Sequence, residues 1–90
     1  NKNMSTLKGK IVHIGQIETV GTNGFTKRTL AIETAEQYPQ TIGIEFVKDK
    51  ATMLDMLSEG DEVEVSVNIR GREYNGKYYI NLDGWKVTTI

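Results

Sequence analysis

The pair Asn75-Gly76 constrains this chain more than any other feature, because it sits between two alternating segments within Asp61 to Val87. A two-residue type I′ turn needs positive φ at both central positions, and Asn-Gly supplies them with little strain. The turn sets the pairing: Tyr74 faces Lys77, Arg72 faces Tyr79, Arg70 faces Asn81, Ile69 faces Leu82 and Ser66 faces Trp85. Side chains alternate across a strand, so Val63, Val65, Val67, Ile69, Tyr78, Ile80 and Leu82 share the expected core face. Arg70, Arg72, Tyr74, Lys77, Tyr79 and Asn81 share the other. That second face interleaves cations with aromatic rings. Cations track phosphates and flat rings stack bases of any identity, the chemistry of a single-stranded nucleic-acid surface. Arg and Tyr are also ordinary cross-strand neighbours in a sheet, where such a pair adds roughly a few tenths of a kcal/mol. The rest of the chain has to decide between the two readings.

Ninety residues make one domain with a modest core, expected over residues 4–90. Residues 1–3 precede Met4, which reads as a natural start. With no cysteine, neither disulfides nor a thiolate metal site can support the fold. Lys and Arg number 11 against 12 Asp and Glu, a net charge of −1, which argues against a generally basic binder. Affinity for phosphates has to come from local placement. No apolar run approaches bilayer length and no signal-peptide succession opens the chain, so a soluble cytoplasmic protein away from membranes is expected.

Alternation and turn residues mark five strands and one short helix. Leu7 to Val20 reads as a long first strand, with Gly9 and Gly15 as bend or bulge points. After a turn at Gly21 to Gly24, Phe25 to Thr34 is a second strand, with Leu30 and Ile32 facing one way and Lys27, Thr29 and Ala31 the other. Ala35 to Gln40 connects it to Thr41 to Val47, where Ile42, Ile44 and Phe46 alternate with Thr41, Gly43 and Glu45. Lys48 to Ser58 breaks the two-residue period: Asp49 can cap a helix whose Met53, Leu54 and Leu57 share a side, and Gly60 can end it. The hairpin closes the chain. Three strands, a helix and a hairpin is the order of the OB-fold, a five-stranded Greek-key barrel, so the expected class is all-β with one short helix between strands three and four. Its ligands lie across strands two and three, between the loop joining strands one and two and the loop joining strands four and five. Here those loops are Gly21 to Phe25 and Arg72 to Lys77.

Residues 8–19, KGKIVHIGQIET, resemble the first strand of bacterial single-stranded-DNA-binding proteins, and residues 46–74 resemble their third-strand end, helix and fourth strand. Arg70-Gly71-Arg72-Glu73-Tyr74 is similar to the Arg-x-Arg-x-aromatic run that leads into their loop between strands four and five. A closer resemblance is to a small bacterial family of uncharacterised, single-stranded-DNA-binding-like OB domains, carried by residues 32–40 (IETAEQYPQ), residues 72–79 (REYNGKYY) and Gly84-Trp85-Lys86. The resemblance spans Lys8 to Val87 and implies an OB-fold that binds single strands. Two departures stand out. Thr41, Gly43 and Glu45 occupy outer positions of strand three where those proteins often carry an aromatic, which argues against a high-affinity wrapping mode. The acidic tail with which such proteins recruit repair and replication enzymes is also missing before Ile90.

Tyr74, at the tip of the charged face, is the leading stacking candidate. Tyr79 either stacks a base or covers Arg72, and Phe25 either serves as a second platform or pins its loop to the barrel. Trp85 shares the parity of Tyr79, yet Gly84 can introduce a bulge that turns its ring into the core, the favoured reading. Tyr38 and Tyr78 are assigned to structure. Arg70, Arg72, Lys77 and Lys27 are the phosphate candidates, with Arg28 in reserve because its parity is wrong. Glu59, Asp61, Glu62 and Glu64 read as the solvated start of a strand rather than a metal site, since their oxygens diverge. His13, the sole histidine, is expected to be packed in an apolar strand.

No nucleophile elbow, phosphate-cradling glycine loop or paired-carboxylate spacing is present, so no catalysis, metal or cofactor is expected. The reading is a non-enzymatic OB-fold module that binds single-stranded DNA, with RNA left open, and shows little sequence preference. A protein-interaction or assembly module is the alternative. Exposed strand edges further suggest a homo-oligomer, a dimer or tetramer built through strand one or the hairpin.

Overall fold

Six strands and one short helix make up the computed structural model, which describes residues 4–21 and 24–90. They are β1 (Met4–Ile14), β2 (Glu18–Val20), β3 (Phe25–Thr34), β4 (Thr41–Val47), a 3₁₀ helix (Lys48–Met56), β5 (Glu62–Tyr74) and β6 (Lys77–Thr89). The sheet runs β1-β5-β6-β4-β3-β2, and β1 pairs with β3 as well, so five strands close into a ring. This is the OB-fold barrel. Closure is achieved by β1, whose Met4–Lys10 pairs with β5 while Gly9–Ile14 pairs with β3. Gly9 sits at the changeover, where a Cβ would lie 2.5 Å from the Glu33 carbonyl oxygen. Only a residue without a side chain lets the two strands approach so closely.

The first strand is not continuous to Val20. Arg28 donates from Nε to the Gly15 carbonyl at 2.7 Å, and from Nη1 to Asp55 Oδ1 at 2.7 Å and the Ala51 carbonyl at 3.3 Å. The ladder ends beside this guanidinium, where Gly15 N–H still donates to the Thr29 carbonyl at 2.8 Å, and Glu18–Val20 forms a separate strand on the edge of β3. Arg28 is thus a clamp between the strand break and the helix. The helix itself is 3₁₀ and shorter than expected, and no side chain caps it; Asp49 contributes only its backbone carbonyl, to the Thr52 hydroxyl at 2.8 Å. Ala51, Leu54 and Leu57 recur every third residue, the spacing that a 3₁₀ helix brings onto one line. Ala51 and Leu54 are buried. Gly60 lies beyond the helix, at φ 98° in the turn that leads into β5.

The core gathers Ile11, Leu30, Ile32, Ile44, Phe46, Leu54, Val63, Val65 and Val67. Phe46 lies flat on Gly84, where a Cβ would fall 2.2 Å from its Cζ. That contact shapes the next residues. Ser66 pairs with Lys86 and Val67 with Gly84, so Trp85 is the extra residue of a bulge rather than the partner of Ser66. It is half-buried and not among the core residues, although its indole N–H is shielded from solvent. His13 is a clearer correction. A bulge after Ile11 sets it opposite Ala31 on the outer face, 66% exposed and 3.8 Å from Glu59.

The expected core face of the hairpin holds only as far as Val67. Ile69, Tyr78 and Ile80 are exposed, Tyr78 at 79% and Ile80 at 72%. The physical reason is the reach of the arm: β1 stops pairing with β5 at Met4↔Asn68, and β4 bridges β6 only at Glu45↔Asp83. Beyond those points, among the described residues, β5 and β6 pair only with each other and form a two-stranded ribbon.

Candidate nucleic-acid interface

The hairpin forms in the register its turn dictates. Asn75 and Gly76 both take positive φ, 52° and 76°, and Tyr74↔Lys77, Arg72↔Tyr79 and Arg70↔Asn81 face each other. The Arg72 guanidinium carbon lies 5.7 Å from the centre of the Tyr79 ring, so Tyr79 carries the cation that it also shares a face with. Arg70, Gly71, Arg72, Tyr79 and Asn81 line a shallow groove of about 350 Å³. Arg70 and Asn81 also line a second groove of about 550 Å³ with Phe25, Lys27, Glu45, Val47, Lys48 and Asp83. The two share Arg70 and Asn81 in their walls.

The structure therefore brings Phe25, Lys27, Arg70, Arg72 and Tyr79 onto one surface, drawn from β3, β5 and β6. Tyr74 and Lys77, both exposed, stand apart at the tip, about 13 Å beyond Asn81 at strand spacing. The loop between β2 and β3 reaches the same surface through Phe25; its residues 22 and 23 lie outside the described residues. Tyr38 is exposed and far along the chain from this surface, in the connection between β3 and β4.

Two of the cations are already engaged. Arg70 Nη1 donates to Asp83 Oδ2 at 2.8 Å, and Lys27 Nζ lies 3.8 Å from Glu45 Oε2. Such partly exposed pairs contribute only about 0–1 kcal/mol, so an incoming phosphate can replace either carboxylate. Arg72 and Lys77 have no carboxylate within ion-pair distance among the described residues. Arg28, held in reserve for phosphate, is spent on the clamp described above.

Sequence reasoning missed the two carboxylates and Lys48. Asp83 was within reach of it, since it sits two residues past Asn81 on the same face and so lies diagonal to Arg70. Lys48 follows Val47, the cross-strand partner of Lys27, and its ammonium sits 5.7 Å from the centre of the Phe25 ring. The pairing of β3 with β4 was the signal that would have located it.

A family model described as a domain of unknown function, DUF3127, matches residues 6–88. The chain belongs to the DUF3127 family. No curated protein matches its sequence. Solved structures with the same fold include the mitochondrial single-stranded DNA binding protein of S. cerevisiae, at TM-score 0.83 and 12% identity over 97% of this chain and 94% of that one. The single-stranded-DNA-binding domain of a Synechococcus sp. protein superposes at TM-score 0.75, with 19% identity over 94% and 92% of the two chains. The N-terminal domain of PriB from Thermoanaerobacter tencongensis, a dimeric structure, does so at 0.69 with 16% identity over 100% and 98%. The resemblance read from the first strand, the helix region and the Arg-x-Arg-x-aromatic run is thus borne out as a shared fold. DUF3127 in this chain is an OB-fold.

Proposed function

We propose that this DUF3127 domain binds single-stranded DNA without catalysis and with little sequence preference, RNA being a second ligand of the same chemistry. The observation that carries the reading is the pair of grooves sharing Arg70 and Asn81, which gather the rings Phe25 and Tyr79 with the cations Lys27, Arg70 and Arg72. Rings offer faces to unstacked bases, and cations on the same strands meet the intervening phosphates. Tyr74 and Lys77 extend that surface to the tip of the arm. Replication and repair in the cytoplasm, where single strands arise, are the setting this chemistry suits. With roughly three phosphate contacts the log-log salt slope is about −2, shallow as a near-neutral chain requires. Titrating labelled oligo-dT of about 30 nucleotides against duplex of equal length tests the proposal. Preference for the single strand supports it, and no saturable binding at low salt overturns it in favour of a protein-interaction module.

The arm also supports assembly. Ile69, Tyr78 and Ile80 form an apolar stripe on the side opposite the cations, and an isolated two-stranded ribbon is marginal in water. A second copy of the chain, laid against this stripe, covers it on both protomers by two-fold symmetry and gives a dimer, or a tetramer if strand one pairs as well. Light scattering checks this. A particle of 10.1 kDa at micromolar concentration and above refutes it.

A further inference from the structure

Lys48 is one of only two non-glycine residues with positive φ among the described residues, at 55°. The other, Asn75, is demanded by its turn and tolerates the conformation. Lys48 has no such excuse. It stands at the junction of β4 and the 3₁₀ helix, where glycine would turn the chain without strain, and strained backbone of this kind concentrates at functional positions. What the conformation accomplishes is visible: it sends the ammonium back over Phe25, 5.7 Å from the ring centre. Phe25, 37% exposed, and Lys48 together form a partition. On one side is the groove shared with Lys27 and Arg70; on the other lies an open groove of about 750 Å³ walled by Ile17, Thr26, Ala51 and Thr52. Asp49 also lines that second groove and disfavours a phosphate within it, so a flat, uncharged nucleobase is the better occupant.

Resting on the single-strand reading above, we infer that Lys48 and Phe25 form an additional nucleotide subsite, which carries the strand off the barrel face and past the helix. The base stacks on the Phe25 ring in the helix-side groove. The Lys48 ammonium, displaced from the ring, takes the adjoining phosphate. The strained backbone is retained because it aims that ammonium.

This account gives Lys48→Gly two effects of opposite sign. Removing the left-handed strain raises Tm by about 4 °C, while loss of one phosphate contact weakens oligo-dT binding about fivefold and lowers the salt slope by about 0.7. Lys48→Arg keeps the charge and binds within about twofold of the wild type. Phe25→Ala loses about tenfold, as expected for one stacked base. Lys48→Gly binding like the wild type overturns the inference, and so does a variant that melts early, since the conformation would then serve packing alone. Should Lys48→Gly fail to fold, photo-cross-linking of 5-iodouracil oligonucleotides to the wild type decides: adducts at Ile17 or within residues 48–52 support the subsite, and adducts confined to other residues overturn it. Wild-type protein that binds no single strand refutes the broader function as well, an outcome distinct from normal wild-type binding with an indifferent Lys48.

Discussion

Asp83→Asn should make this protein a better binder. Arg70 is largely exposed, but its guanidinium is held at 2.8 Å by the Asp83 carboxylate, which is only 20% exposed and lines the same groove. A phosphate that takes Arg70 must displace this pair and then remain near a fixed negative charge. The first step forfeits about 0.2–1 kcal/mol for a partly exposed ion pair. The second adds about 0.8 kcal/mol if phosphate and carboxylate sit about 5 Å apart in water. Asparagine keeps the shape and removes both penalties, so affinity for oligo-dT at low salt should rise by about 1–2 kcal/mol, or roughly 5- to 30-fold. The gain should shrink between about 50 and 200 mM salt, because both contributions are electrostatic. Stability should fall by under about 1 kcal/mol, the worth of the lost pair. Fluorescence anisotropy at both salt concentrations, with thermal melts as the control, measures all three. Unchanged affinity would remove Arg70 from the binding surface, and a loss as large as that of Arg70→Ala would show that Asp83 positions the guanidinium rather than competes for it.

Tyr74→Ala, at an exposed tip, should weaken oligo-dT binding about tenfold while leaving Tm nearly unchanged; early melting with normal binding would make the tip structural. Arg72→Ala should also weaken binding, with an effect that fades as salt rises in the same anisotropy titration. Gly84→Ala should destabilise by about 3 kcal/mol or more in denaturant melts, because the new methyl falls on the Phe46 ring. Trp85→Ala should cost less than a full core deletion, about 1–3 kcal/mol in the same melts, since its ring is only half-buried.

Local chemistry made the hairpin legible in the sequence. Asn75-Gly76 demanded one turn type, that turn set the register, and the register put Arg70, Arg72 and Tyr79 on one face. The barrel order followed from counting alternating segments. Failures came where a distant residue overrode a local pattern. The alternation of Leu7 to Val20 gives no hint that the strand ends at Ile14, beside a Gly15 carbonyl that accepts from Arg28. His13 sits in an apolar run, yet a one-residue bulge carries it to solvent. Parity assigned Ile69 and Ile80 to the core, but parity fixes only which side a residue takes and says nothing about whether anything lies beneath that side. The acidic partners of Lys27 and Arg70 come from β4 and β6, so they depended on strand pairing rather than spacing.

The arm's two faces would make the proposed assembly and the proposed binding interdependent. Cations and rings occupy one side of the ribbon, and Ile69, Tyr78 and Ile80, all exposed, the other. A ribbon free on both faces samples many orientations, and each nucleotide contact made by Tyr74 or Lys77 would then bear the entropy of fixing it. On the proposed dimer, a second copy packed on the apolar face would fix the ribbon beforehand, so a bound strand would meet a preorganised surface and lose less affinity to ordering. The near-neutral charge fits the same logic. With Glu45 and Asp83 already against two of its cations, this surface gains little from long-range attraction, and its affinity depends on how well the rings and cations are held in place.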